Sequence, residues 1–377
     1  MPRLKSDFTA LRVIGWPWAG EPDDAAWREM MAAHPQARPA RVVEQHRSGY
    51  IVADGPDAGF AVESLPEWQR PAGYRKGTTS AEQRAAVGDW VLLEGGRIVA
   101  LLPRRSAIKR GAAGEHYRQQ VIAANIDTVL VVCGLDGDFN PRRIERYLLL
   151  VNGGGAQPAA SQPIVVLTKA DKEDSDVQAA VDALAGVAGQ DVPVFAVNAK
   201  DRDSVAALDP WLQAGMTAVL VGSSGAGKST LTNTLLGTEK MKTAGVRESD
   251  ARGRHTTTHR ALIPLPSGAC LIDTPGMREL KPTGEENLAE GGFADIEALA
   301  GQCRFRDCRH AREPGCAVRA AIEAGTLDPQ RFANYLKLRD EVAGAADRLA
   351  TRLAQKATAK VQGKALHKRL DDKYGKD

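Results

Sequence analysis

Residues 216–230 read Met-Thr-Ala-Val-Leu-Val-Gly-Ser-Ser-Gly-Ala-Gly-Lys-Ser-Thr, and the rest of the chain is organised around them. An apolar run, Ala218 to Val221, enters a glycine-rich turn, and a helical pattern of Leu231, Leu235 and Leu236 leaves it. Gly222, Gly227, Lys228 and Ser229 fit the G-x-x-x-x-G-K-[ST] phosphate loop, in the strand–loop–helix setting such a loop requires. Ser223, Ser224, Gly225, Ala226 and Thr230 complete the candidate contact segment. Its glycines let successive backbone N–H groups turn inward around phosphates. The helix that follows points its positive end at the same anion. Lys228 supplies a mobile cation for the β- and γ-phosphates, a catalytic share, and the Ser229 hydroxyl is placed to bind Mg²⁺. These residues predict a nucleoside triphosphate site.

The bulk numbers set limits. A length of 377 residues predicts about two or three domains with ample core. No apolar run approaches the ~20 residues of a membrane span, and Met1 to Asp7 lacks the apolar core of a secretory signal. The net charge of +3 says little about partners, so local clusters matter more. Of five cysteines, three fall between 303 and 316, which points to a metal site in a reducing cytoplasm rather than a disulfide scaffold.

Along the chain, residues 23–33 read as a helix capped by Asp23 or Asp24. Val42–Glu44, Gly49–Ala53, Phe60–Glu63, Trp90–Leu93 and Ile98–Leu102 read as five short strands, with Gly95-Gly96 as a hairpin turn. That strand count suits a small oligonucleotide-binding barrel. Arg70, Arg75, Lys76 and Arg84 lie in its longest loop, and Arg104, Arg105, Lys109, Arg110 and Arg118 follow it. They fit either solvated loops or an RNA-binding surface. Tyr50, Tyr74 and Trp90 fit either core positions or base-stacking platforms.

Valine-rich Thr128–Cys133 has the composition of a strand buried on both faces of a parallel sheet. A helical stretch (141–151) and strands at Ile164–Leu167, Val194–Val197, Ala218–Val221 and Cys270–Ile272 complete a doubly wound α/β domain. Four short segments stand where its strands end, the edge at which such sheets bind ligands. Thr168-Lys169-Ala170-Asp171 carries a carboxylate suited to accept from the N1–H and 2-amino group of guanine together. Ala199, in Asn198-Ala199-Lys200, offers a backbone amide near the guanine O6. Asp273, opening Asp273-Thr274-Pro275-Gly276, is placed to hold Mg²⁺ through water. The phosphate loop is the fourth.

Thr168–Asp171 and Asn198–Lys200 look like the fourth and fifth GTPase motifs, yet they precede the phosphate loop. With five strands before and a cysteine cluster after, residues 40–320 closely resemble the ribosome small-subunit-dependent GTPase A (RsgA) family. The resemblance implies an α/β P-loop GTPase domain in circularly permuted order, an oligonucleotide-binding barrel and a zinc-binding domain. It divides the chain into a helical extension (1–39), a barrel (40–112), the GTPase domain (121–283) and a zinc-binding helical domain with a basic tail (284–377). It also implies a cytoplasmic, monomeric GTP hydrolase that binds the small (30S) ribosomal subunit and its rRNA late in maturation. Hydrolysis stimulated by the subunit would then drive release. Thr168 stands where many GTPases have asparagine, and Asn198 where serine is usual.

Residues 238–260 are polar and nearly without hydrophobic anchors, as suits a switch ordered by γ-phosphate and Mg²⁺. Among Thr256, Thr257 and Thr258, Thr257 is the expected Mg²⁺ ligand. Met277 follows Gly276 where Ras-like enzymes carry a water-orienting glutamine, so hydrolysis by the chain alone is expected to be slow. His255 is the candidate catalytic group, since an imidazole accepts a proton or positions water near neutral pH.

Cys303-x4-Cys308-x-His310-x5-Cys316 supplies three thiolates and an imidazole, a set suited to one structural Zn²⁺. Arg304, Arg306, Arg309 and Arg312 surround these ligands and favour RNA contact. Asp328-Pro329 opens an amphipathic helix with Phe332, Tyr335, Val342, Ala346, Leu349 and Leu353 on its packed side. From Ala350 onward eight Lys/Arg face three Asp, a net +5, which predicts a mobile basic tail. The other classes that fit are an ATP-using P-loop enzyme such as a kinase, which Asp171 argues against, and an RNA-binding module that senses GTP without turnover.

Overall fold

The computed structural model describes residues 7–46, 49–57, 59–69, 83–111, 119–152, 161–187, 192–238, 260–273 and 281–374. Helices α1 (Phe8–Val13) and α2 (Ala25–Ala33) begin at aspartate caps. Asp24 accepts from the backbone N–H groups of Ala26 at 2.8 Å and Trp27 at 3.1 Å, satisfying donors that a helix start leaves open.

The next strands are β1 (Arg38–Gln45), β2 (Tyr50–Ala53), β3 (Phe60–Val62), β4 (Trp90–Glu94) and β5 (Arg97–Leu101), with a short helix α3 (Pro66–Gln69) after β3. β1 pairs with β2 and β4, β2 with β3, and β4 with β5, all antiparallel. A parallel bridge between Glu63 and Arg97 links the end of β3 to β5, so the pairings run in a closed ring. The two-residue period sorts side chains between its faces. Val91 and Leu93 join Val42, Val52 and Trp68 inside, while Trp90 and Leu92 pack outward on Leu11, Trp16 and Trp27. Trp90 and Tyr50 are buried and therefore core residues, not stacking platforms; Tyr74 lies outside the described residues.

Hairpin β6 (Ala107–Gly111) and β7 (Gln119–Ala124) leads into β8 (Thr128–Gly134) and α4 (Pro141–Asn152). Then come β9 (Gln162–Thr168), α5 (Val177–Ala185), β10 (Val194–Ala196), α6 (Arg202–Val205), β11 (Thr217–Val221), α7 (Lys228–Leu236), β12 (Arg260–Pro264) and β13 (Cys270–Asp273). The sheet order is β10-β9-β8-β11-β13-β12, parallel except for β12. Its strands are apolar along most of their length because both faces are covered. Val129, Val131, Val165, Leu167 and Val219 face α4 and α5, whereas Leu130, Val132, Ile164, Val166 and Leu220 face α6 and α7. Strand β12 also pairs antiparallel with β1, through Glu44↔Ala261 and Gln45↔Arg260, so a single path of strands runs from the α/β sheet into the ring.

Arg41 is buried where these parts meet. Its guanidinium donates to the carbonyls of Ile14 (2.6 Å), Gly88 (3.2 Å) and Asn125 (3.2 Å) and lies over the Trp90 ring. Arg104 is likewise structural: it forks onto Asp89, whose side chain is fully buried, and donates to the Arg84 carbonyl. Arg105 pairs with Asp127 and Lys109 with Glu285. These three cations thus have partners within the chain, although only Arg104 reaches a fully buried carboxylate.

The C-terminal part consists of α8 (Ala294–Gly301), α9 (Ala317–Glu323) and α10 (Pro329–Tyr374). Its core of Phe293, Ile296, Val318, Leu327, Phe332, Tyr335 and Leu338 also takes in Leu149 from α4. Below it Glu145 of α4 accepts from Arg331 at 3.1 Å and Asn334 at 2.6 Å, and Arg331 also pairs with Asp295. Burial pushes the Glu145 carboxyl up, while Arg142, Asn334 and Arg331 draw it down less strongly. The basic segment after Ala350 continues as helix to Tyr374 instead of forming a tail. Its alanines, leucines, lysines and arginines are strong helix formers, and no proline interrupts them. Leu353, expected on the packed side, is 57% exposed, because the core beneath α10 has ended by then.

Candidate functional site

The phosphate loop, Thr168–Asp171, Asn198–Lys200 and Asp273 stand at the C-terminal ends of parallel strands. Gly222 leaves β11 with φ 147°, and a Cβ there would lie 2.1 Å from the Val132 carbonyl oxygen of the neighbouring strand. Gly227 ends the loop with φ 88° and serves as the N-cap of α7 without a side-chain cap. The N-terminal end of α7 thus faces the loop, an arrangement that suits a phosphate. Lys228 folds back so that its Nζ donates to the carbonyls of Gly222, at 2.7 Å, and Ser223. Ser224, Gly225, Ser229 and Thr230 belong to the same loop and first turn, and Ala226 is buried beneath them.

Thr168, at the end of β9, is fully buried, and its hydroxyl donates to the Ala226 carbonyl at 2.6 Å. Lys169 adopts φ 63°, turning the chain so that Asp171 stands exposed beyond it. The Ala170 N–H donates to Val197 at 3.3 Å, joining this segment to the one after β10. There the Ala199 carbonyl accepts from the Thr234 hydroxyl of α7 at 2.6 Å, and the Asn198 side chain accepts from the Lys200 N–H at 3.0 Å. β13 runs parallel beside β11, and Asp273 follows the Val219↔Ile272 pair by one residue, at the edge where the phosphate loop begins. His255, Thr256, Thr257, Thr258, Gly276 and Met277 lie outside the described residues.

One segment escaped the sequence reading. Residues 134–140, between β8 and α4, lie between the phosphate loop and the Thr168–Asp171 segment. Asp136 pairs with Lys169 and, at 3.7 Å, with Lys172, and Asp138 accepts from the Ser223 hydroxyl and pairs with Arg143. The two carboxylates two residues apart were the available signal, but nothing in their spacing names these partners.

A family model described as RsgA GTPase matches residues 101–283. A small ribosomal subunit biogenesis GTPase RsgA from Xanthomonas axonopodis pv. citri is 71% identical over 364 residues, 97% of each chain. The chain belongs to the RsgA GTPase family. A second RsgA, from Xanthomonas campestris pv. campestris, is 70% identical over 97% of each chain. The crystal structure of YjeQ from Thermotoga maritima superposes with a TM-score of 0.56 at 23% identity, covering 82% of this chain and 99% of that one. YloQ, a circularly permuted GTPase, does so with 0.50 at 24% identity, covering 83% and 96%. At these identities the likeness speaks for the fold. The fold is that of a circularly permuted P-loop GTPase, with Thr168–Asp171 ahead of the phosphate loop in the chain, and the activity is hydrolysis of GTP.

Elsewhere in the chain, Cys303, Cys308, His310 and Cys316 bring their ligand atoms within 4.8 Å of one another. His310 takes φ 60° to turn its ring inward, where it stands edge-on to Phe332. Glu313 accepts from the N–H groups of Arg309, Ala311 and Arg312, bracing the loop. Three thiols and one imidazole converging this closely fit a tetrahedral zinc, with no fifth protein donor among the described residues. Arg304, Arg306, Arg309 and Arg312 are exposed around the cluster, and Arg304 stacks over exposed Phe305. No described helix is long and apolar enough to cross a membrane.

Proposed function

We propose that this GTPase acts in small ribosomal subunit biogenesis, binding the subunit and its rRNA, and that the subunit stimulates GTP hydrolysis that then drives release. The observation that carries the reading is the coupling of the guanine motif to the phosphate loop through Thr168 and Ala226, in a chain 71% identical to a protein named for that process. Asp171 reads guanine, the loop from Gly222 to Thr230 cradles the phosphates, and Ser229, Thr257 and Asp273 hold Mg²⁺, which when bound draws charge from the γ-phosphate. Lys228 would leave its loop carbonyls for the β- and γ-phosphates. His255 positions the attacking water in place of the glutamine that Met277 cannot replace.

The closed ring of β1 to β5 supports an oligonucleotide-binding barrel within residues 40–112 as one RNA-facing module. The arginine-rich loop on the Cys303–Cys316 cluster, holding one structural Zn²⁺, supports the other within residues 284–377. The remaining divisions are the helical extension (1–39) and the GTPase domain (121–283). We read the chain as a cytoplasmic monomer. Phosphate release from GTP and ATP, with and without purified small subunits, tests this reading. Slow GTP turnover raised strongly by the subunit is expected, and equal use of ATP overturns the role of Asp171. Full subunit-stimulated turnover by His255→Ala excludes that residue.

A further inference from the structure

Three loops meet at the nucleotide site, and each touches the other two through a named contact. Thr168 joins the guanine motif to the phosphate loop at Ala226, Lys169 joins it to Asp136, and Ser223 joins the phosphate loop to Asp138. The loop of residues 134–140 closes this triangle and is part of no motif. Its attachment is dense: the Leu135 N–H donates to the Thr168 carbonyl at 2.8 Å, and the Ser175 hydroxyl lies 2.8 Å from the Leu135 carbonyl and 2.9 Å from that of Lys169. Gly134 makes room for it, since a Cβ there would come within 3.0 Å of both the Asp136 carboxylate and the Lys169 ammonium.

We propose that Asp136 and Asp138 are positioning residues for the GTPase reaction, Asp136 for the base half of the site through Lys169 and Asp138 for the phosphate half through Ser223. Neither touches the reacting atoms. A carboxylate beside a triphosphate is ordinarily repulsive, but here each is neutralised on the spot, Asp136 by Lys169 and Lys172, Asp138 by Arg143. What remains is orientation. Lys169 sits in a left-handed backbone conformation uncommon for any residue with a Cβ, and the pair with Asp136 fixes the direction of its stem. Ser223 opens the phosphate loop, and a fixed hydroxyl there restrains the backbone N–H groups that follow. Holding both halves before the nucleotide arrives reduces the ordering cost of binding.

The inference rests on the reading of this pocket as the GTP site, and a phosphate series separates the two. GMP, GDP and GTP compete with a fluorescent GDP on the full-length protein. For Asp136→Asn the expected result is an equal loss across the series, about three- to tenfold, with KM raised and kcat kept. Lys169→Met should reproduce it, and the double variant should lose nothing more. For Asp138→Asn the loss should grow from GMP to GTP, and Ser223→Ala should mimic it non-additively. Wild-type affinities in both aspartate variants, the same flat loss in both, or additive double variants would overturn the proposal. Lys228→Ala serves as the control: if it still binds GTP normally the site reading itself fails, whereas if it loses GTP while both aspartate variants keep it, only this inference fails.

Discussion

The Thr168 hydroxyl donates to the Ala226 carbonyl across 2.6 Å, so the residue that opens the proposed guanine-reading segment is sealed against the phosphate loop. A Cβ on Gly227 would come 2.9 Å from that same hydroxyl, which shows how closely the loop backbone packs on it. A short β-branched side chain fills this contact where many GTPases place asparagine. Thr168→Val keeps the shape but leaves a buried carbonyl without its donor, a loss of about 1–3 kcal/mol. GDP and GTP affinities are expected to fall together by roughly tenfold, as measured by competition with a fluorescent nucleotide.

Arg41 bonds three carbonyls from three different segments, at Ile14, Gly88 and Asn125. Burial draws its pKa down, with Cys270, Asp127 and Asp89 acting against that. Arg41→Ala leaves the buried Ile14 and Asn125 carbonyls without this donor, while Gly88 keeps the bond from the Asn125 amide, and its cost is expected at about 3–5 kcal/mol. Arg41→Lys, which cannot fork, should recover only part. Denaturant unfolding of each variant measures this, and Gly15→Ala should be similarly harmful, since its Cβ would lie 1.8 Å from the guanidinium.

Removing metal should loosen the C-terminal part selectively. Cys316 caps α9, accepting from the Arg319 N–H at 3.5 Å, and its sulfur belongs to the core around Phe293 and Phe332. A strong chelator is expected to release zinc, lower the thermal midpoint and raise hydrogen exchange across residues 303–323. Nucleotide affinity should be unchanged, because no ligand of the cluster touches the three loops. Cys308→Ser should show the same pattern without chelator.

Asp136 gives a pH dependence with a definite sign. Partial burial pushes its carboxyl up, but the hydrogen bond from Lys169, the Asp138 N–H and the nearby lysine charges outweigh this and hold it below the usual aspartate range. An acid with a lowered folded-state pKa stabilises the fold above its unfolded value, and that contribution is lost as pH falls through the folded value. The stability gap between the wild type and Asp136→Asn should therefore be constant near neutrality and close below about pH 4. Denaturation midpoints measured across that range check it.

Much of the site was legible because its chemistry is local. A phosphate loop needs glycines, a lysine and a hydroxyl at fixed offsets, and a zinc knuckle needs sulfur and imidazole within one short loop. Both patterns survive as sequence: Gly222 to Ser229 forms a tight turn into α7, and the donors from Cys303 to Cys316 lie together. The strands of the α/β sheet were legible for a similar reason, since a strand buried on both faces must be apolar throughout. The chain alone therefore determined a P-loop domain, its permuted motif order and its donor set for a metal.

Tertiary structure decided who meets whom. Nothing in Asp138 names Ser223, 85 residues away, and nothing in Glu145 names Arg331, 186 residues away. Arg104 reads as a surface cation until Asp89 is seen buried against it, and the basic run after Ala350 reads as a tail until it continues α10. Residue type and spacing set what a group is able to donate or accept within a few residues. Which partner receives it depends on strand order and helix packing, and those come from burying the whole apolar surface at once rather than from any single segment.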